Sequence, residues 1–201
     1  FTSKQNIAFC GYHGWHDWYL AANFQNSKNL DEQLLPGLKT KGVSKSYKES
    51  IKPFNYNNIN SLKKIFANKK NNIGIVIMKP MRAIKPTKKF LEEVKKITKK
   101  NNAILIFDEI TSGFKENYGG LHLKFNVMPD MAIFGKSIGN GYPISAIIGK
   151  KKIMQIAQDT FISSTMWTDR LGFIAANTTL KKLKKFKVNN KIKNFGKKIK
   201  N

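Results

Sequence analysis

ILIFDEITSGF, residues 104–114, and MAIFGKSIGNGYPISAIIGK, residues 131–150, together decide how this chain is read. The first run is apolar until it ends abruptly in Asp108 and Glu109. That is the pattern of a strand buried on both faces, delivering two carboxylates at its C-terminal end. Open α/β sheets bind their ligands at that end. The second run repeats the arrangement: Met131 to Gly135 leads to Lys136 in a Gly-rich turn, Ser137 to Gly141, before another apolar stretch, Ile144 to Ile148. An acid and an amine are therefore expected to converge on one end of a sheet.

Those two groups suit a particular chemistry. A lysine that forms a Schiff base must be neutral when it reacts, and a partly dry pocket beside a cationic or electron-poor group favours the neutral amine. Lys136 is placed for that role. A carboxylate facing it, with Asp108 as the candidate, can hold a pyridine nitrogen protonated and so make the ring an electron sink for a substrate carbanion. Spacing alone equally allows a plainer reading, in which Asp108 and Glu109 cap a following helix and Lys136 is a solvated turn residue.

Three strings, FDEITSGF (107–114), FGKSIGNGYPISAIIG (134–149) and FCGYHGWHDWY (9–19), resemble the class III pyridoxal-phosphate aminotransferases, in particular the glutamate-1-semialdehyde aminomutase-like branch. The resemblance runs from about Phe9 to about Ala176 with the motifs in the family's order. It implies an α/β fold, the fold-type I large domain with a mostly parallel sheet flanked by helices, and a homodimer with shared active sites. It further implies that residues 1–183 are a partial cofactor-binding large domain and that 184–201 begin a small C-terminal domain. On this reading the family's phosphate loop lies upstream and most of the small domain downstream, so the chain is expected to be an internal piece, incomplete at both ends.

The resemblance also assigns residues. Lys136 holds pyridoxal 5'-phosphate and is the catalytic group, Asp108 pairs with the ring nitrogen, Tyr12 stacks on the ring and His13 lies against the ring or the substrate. The Thr111 hydroxyl reaches the phenolic oxygen, and Thr165 reaches the phosphate of the neighbouring subunit's cofactor. Gly11 and Gly14 are suited to letting the backbone come close to a planar ring. One departure stands out, because the family's Glu-Pro is replaced here by Lys79-Pro80.

Bulk properties agree with a folded globule. The chain has 201 residues, 41% of them hydrophobic and 11% aromatic, enough for one sizeable core. Its formal charge of +25 would ordinarily point to nucleic acid or an anionic membrane. Arg82 and Arg170 are the only arginines, however, and phosphate or base readout favours the guanidinium fork over lysine. A solvated basic surface is therefore expected, with neither nucleic acid nor membrane as partner. Cys10 is alone, so no intrachain disulfide can form. His16 and Asp17 have only His13 and His122 as further imidazoles, a poor constellation for a metal, and none is expected. No apolar run is long enough to span a bilayer and no secretory signal is visible, which gives a cytoplasmic expectation.

In chain order, residues 23–48 are polar and aperiodic, with Gly and Pro at 35–37 and 42, and read as a long surface excursion over the active site or dimer seam. Asn60 or Ser61 is expected to cap a helix carrying Leu62, Ile65 and Phe66. Ile73 to Met78 reads as a buried strand, followed by a helix capped by Thr87 with Phe90, Leu91, Val94 and Ile97 on one face, and then the 103–107 strand. Lys150 to Gln158 reads as a short helix. Ser163, Ser164 and Thr165 precede a further helix, Leu171 to Leu183, expected to turn Phe173, Ile174, Ala175 and Leu180 inward; the three hydroxyls suit either an anion or ordinary capping. Residues 184–201 form a basic amphipathic segment.

The expected function is a pyridoxal-phosphate-dependent aminotransferase with a small-molecule amino donor and acceptor. The alternatives are an intramolecular aminomutase of the glutamate-1-semialdehyde type and, because of Lys79 and the charge, a catalytically impaired relative or basic binding module.

Overall fold

The computed structural model describes residues 1–200. The chain divides into two compact units, Phe1–Phe107 and Asp108 onward. The first contains β1 (Asn6–Cys10), α1 (Asp17–Leu20), β2 (Ile51–Pro53), α2 (Ile59–Ala67), β3 (Ile73–Met78), α3 (Lys88–Lys100) and β4 (Ile104–Asp108), the last of which runs one residue into the second unit. Its strands pair in the order β2-β1-β3-β4, all parallel. The apolar runs foreseen at 73–78 and 103–107 are the strands β3 and β4. Phe9 of β1, Met78 of β3 and Leu105 and Phe107 of β4 are wholly or almost wholly buried, each worth about 1.5–3 kcal/mol of transfer free energy.

Local signals explain most of these elements. Thr87 caps α3 as expected, its Oγ1 accepting from the Phe90 amide at 3.1 Å. Phe90, Leu91 and Val94 face inward and Lys99 and Lys100 occupy the last turn, where cations suit the helix dipole. Ile97 is only half-buried; Thr98 takes the inward position and donates to Val94 O. The cap of α2 differs from expectation. Asn58 serves, its Oδ1 accepting from Ser61 N, because the helix starts at Ile59, a residue earlier than the apolar spacing suggested. β2 was not foreseen; it is three residues long and contains Pro53, tolerable in an edge strand that pairs on one side only.

The excursion at 23–48 is less superficial than its composition suggests. Leu30 and Gln33 are buried, Asn23 is nearly so, and the Asn23 side chain holds Leu30 N and Leu38 O. These side-chain hydrogen bonds add to the backbone turns of the segment, such as Gln33 N to Leu30 O at 2.9 Å and Val43 N to Thr40 O at 3.1 Å.

The second unit contains α4 (Leu121–Phe125), β5 (Met131–Phe134), β6 (Ala146–Gly149), α5 (Lys151–Met154), α6 (Arg170–Lys185) and α7 (Val188–Lys200). β5 and β6 pair antiparallel, Met131 opposite Gly149 and Phe134 opposite Ala146. Ala132, Phe134 and Ile138 form one buried cluster in this unit, with Phe114, Ile144, Ala146 and Leu180 packed against them. Within α6 the expectation that Phe173 and Ile174 point inward is overturned: each is 60% exposed. Gly172 is the buried residue of the helix, and a side chain there would come within 3.2 Å of the Tyr142 ring. The face that approaches the core therefore runs through 172, 176 and 180, which leaves 173 and 174 one and two steps of about 100° away.

Candidate active site

Lys136 begins a single 3-10 turn, Lys136–Ile138, directly after β5. Its carbonyl accepts from Gly139 N at 3.2 Å and Asn140 N at 3.0 Å. Its own backbone is left-handed, φ +45°, a conformation that side-chain-bearing residues adopt at a cost of about 1–3 kcal/mol. The side chain is exposed, and its Nζ donates to Thr111 Oγ1 at 3.2 Å. Asp108 ends β4 and is 4% exposed; its Oδ1 accepts from Ile110 N at 3.1 Å. The next residue, Glu109, donates its backbone N–H to Ile133 O of β5 at 2.8 Å. This pairing sets the chain leaving β4 beside the strand that leads to Lys136. The structure thus brings Lys136 and Thr111 into contact and places Asp108 three residues before Thr111 on the same rising chain.

A second polar group lies behind this turn. The Glu109 carboxylate is fully buried; its Oε1 accepts from His122 N at 3.1 Å and lies 3.0 Å from His122 Nδ1, and its Oε2 accepts from Ser112 Oγ at 2.5 Å. Three donors around a buried carboxylate offset its loss of water. Neither His122 nor Ser112 was singled out from the sequence, and no spacing rule would have paired residues 109 and 122.

Beyond Lys136, the Tyr142 hydroxyl donates to Asp169 Oδ2 at 2.9 Å, which pushes the tyrosine pKa up, with burial adding to the effect. Asp169 Oδ1 also accepts from Leu171 N at 2.8 Å and is the cap of α6. The hydroxyls of 163–165 therefore do not cap that helix. Thr165 opens a turn in a segment, 161–168, whose every residue is exposed.

The first unit carries Tyr12 and His13. Tyr12 is half-buried, its ring centroid 4.8 Å from Trp15 and 5.5 Å from Tyr19. His13 stacks on Trp18 at 6.2 Å, and its Nε2 lies 3.1 Å from Cys10 O. Gly11 begins this loop with φ +96°, and a Cβ there would lie 3.3 Å from Lys79 Cγ. Its N–H donates to the buried Gln33 Oε1 at 2.6 Å, and Gln33 Nε2 donates to Phe54 O at 3.3 Å. Arg82 fastens the excursion in turn: its Nη2 donates to Glu32 O at 2.7 Å and Gln33 O at 2.8 Å while the guanidinium sits 5.8 Å from the Tyr56 ring centroid. Burial pushes the neighbouring Cys10 thiol up to about 12, against the opposing pull of Arg82. Among the described residues no cluster of three or more His, Cys, Asp or Glu could hold a metal, and no helix is long and apolar enough to cross a membrane.

Comparison with known proteins adds three findings. Residues 1–201 match the family described as aminotransferase class-III. The chain is similar to a 3-aminobutyryl-CoA aminotransferase of Cloacimonas acidaminovorans (strain Evry), 34% identical over 195 residues that cover 94% of this chain and 43% of the relative. It is also similar to a glutamate-1-semialdehyde 2,1-aminomutase of Caldicellulosiruptor saccharolyticus, 34% identical over 193 residues, 92% of this chain and 43% of the relative. The chain thus spans less than half the length of these relatives. In fold it is similar to an omega-transaminase from Sphaerobacter thermophilus, with a TM-score of 0.77 at 23% identity over 90% of this chain and 44% of that one.

Proposed function

The chain belongs to the class-III aminotransferase family, and from that premise we propose that the full-length protein is a pyridoxal-phosphate-dependent aminotransferase of small amino-bearing substrates. The observation that carries the proposal is the Lys136 amine, presented by the turn after β5 and held 3.2 Å from the Thr111 hydroxyl, with Asp108 buried at the end of β4. This donor set fits pyridoxal phosphate: a primary amine for its aldehyde, a shielded carboxylate for its ring nitrogen and a hydroxyl beside the amine.

When bound, pyridoxal phosphate supplies an electron-poor ring that stabilises negative charge at the substrate's α-carbon. Lys136 Nζ would hold the cofactor and, once displaced by the substrate amine, carry a proton to and from that α-carbon as general base and acid. Asp108 would keep the proton on the ring nitrogen, its burial strengthening the interaction. Thr111 Oγ1 would orient Nζ. Tyr12 is assigned the flat face of the ring, His13 the ring edge or substrate, and Thr165 the phosphate in a second subunit. The exposed apolar residues around Thr165, including Phe161 at 97% exposure, support a homodimer in which such sharing occurs. A cytoplasmic location belongs to the same reading.

Full-length protein mixed with pyridoxal phosphate should develop a near-visible absorption band that Lys136→Ala abolishes; a band that survives in this variant overturns the assignment. A second reading is favoured by the relative named glutamate-1-semialdehyde 2,1-aminomutase. In that case the amino group returns to another carbon of the same molecule. Product formation without any keto-acid acceptor would select it.

A further inference from the structure

We propose that Glu109 is a positioning residue for Lys136, acting through the 110–113 turn that presents Thr111. The inference rests on Lys136 being the cofactor lysine and adds a buried group to which that reading gives no part.

Glu109 is tied on two sides. Its backbone N–H donates to Ile133 O at 2.8 Å, three residues before Lys136, so it is anchored to the strand that delivers the amine. Its carbonyl accepts from Gly113 N at 2.7 Å and its Oε2 from Ser112 Oγ at 2.5 Å, so it also grips the turn that delivers the hydroxyl. Asp108 Oδ1 holds Ile110 N at 3.1 Å. Thr111 is thereby fixed between 110 and 112.

The surroundings leave this turn one position. A Cβ on Gly113 would come within 2.7 Å of the Phe134 ring and 2.8 Å of Glu109 O, and one on Gly120 within 2.9 Å of Glu109 Oε1. The other carboxylate oxygen is fixed by His122, through its backbone N–H at 3.1 Å and its ring Nδ1 at 3.0 Å, at the start of α4. An exposed lysine has many rotamers, and a hydroxyl acceptor can select one only if the hydroxyl is itself immobile. A fully buried carboxylate with every oxygen occupied supplies that immobility. The wholly buried Glu109 thus sets the direction of the exposed Lys136 amine without touching it.

The test uses the full-length apoprotein and follows the rate at which the near-visible band forms on mixing with pyridoxal phosphate. Because Glu109→Ala would strip a buried network, the variants are Ser112→Ala, Thr111→Val, their double, and Glu109→Gln. Ser112→Ala and Thr111→Val should each slow band formation roughly tenfold, the effect of one lost hydrogen bond. The double should be about as slow as either single, since both act through one hydroxyl. Glu109→Gln has a single acceptor oxygen and so cannot accept from both His122 and the Ser112 hydroxyl; it should slow band formation about as much as Ser112→Ala, and a rate equal to the parent's would overturn the role of Glu109. Slowing that multiplies in the double variant, or an unchanged rate in Ser112→Ala, would overturn the positioning role. A band that persists in Lys136→Ala would instead bring down the cofactor reading, so the two failures are distinct.

Discussion

Tyr12 and Thr165 are proposed to serve the same kind of cofactor, yet the segments that carry them are built in opposite ways. The Gly11–Tyr19 loop is finished by its own unit: Gln33 holds Gly11, Trp15 and Tyr19 cover Tyr12, and Trp18 stacks against His13 and His16. The 161–168 segment has no such cover, with Phe161 97% and Met166 and Trp167 each 62% exposed. A ring whose neighbours come from its own folding core has its position set when that core forms. A hydroxyl flanked by uncovered apolar side chains gains a set position only when another surface buries them, and a second copy of the chain is the proposed surface.

The contrast can be broken most forcefully at Gly11. With φ at +96° and a Cβ contact of 3.3 Å to Lys79 Cγ, Gly11→Ala should cost about 2 kcal/mol in denaturant unfolding of the full-length protein. A loss within the error of that measurement would mean the loop is not clamped. A smaller effect of opposite sign is expected at Tyr19, whose ring is wholly buried and whose hydroxyl has no hydrogen-bond partner among the described residues. Tyr19→Phe should raise stability by about 1 kcal/mol.

The same variant carries a pH signature. Burial pushes the Tyr19 hydroxyl up to about 12 from the ordinary 10.0, so above that ordinary value the unfolded chain ionises before the folded one. Stability should therefore fall as pH climbs through this window, and fall less in Tyr19→Phe, as read from unfolding at a series of alkaline pH values. The smallest effect on the subunit itself belongs to the uncovered segment. Phe161→Ser should change the unfolding free energy by less than about 0.5 kcal/mol. Gel filtration of the same variant should show a smaller assembly; an unchanged assembly would remove Phe161 from the proposed interface.

Much of this architecture was legible because it rests on local rules. An apolar run ending in Asp108 marks a buried strand, Thr87 three residues before Phe90 marks a cap, and the turn after Phe134 marks where Lys136 emerges. The sequence led to an acid and an amine meeting, Asp108 and Lys136; the contact of Lys136 with the Thr111 hydroxyl was not anticipated. What escaped depends on distance along the chain. Gln33 reaches Gly11 across 22 residues and His122 reaches Glu109 across 13, through side-chain atoms that impose no period. Arg82 was noticed only as a rare arginine, although its bonds to two carbonyls explain how an aperiodic excursion holds its shape. Phe173 and Ile174 escaped for another reason, since α6 has apolar residues around much of its circumference and Gly172, with almost no hydrophobic signal, decides which side approaches the core.

The left-handed backbone of Lys136 has a consequence for how this protein can change. Glycine would rest there without strain, so random drift toward comfort at this position runs directly away from the amine. Foldability therefore does not explain a lysine at 136, and under the proposed function the strain is carried for the amine.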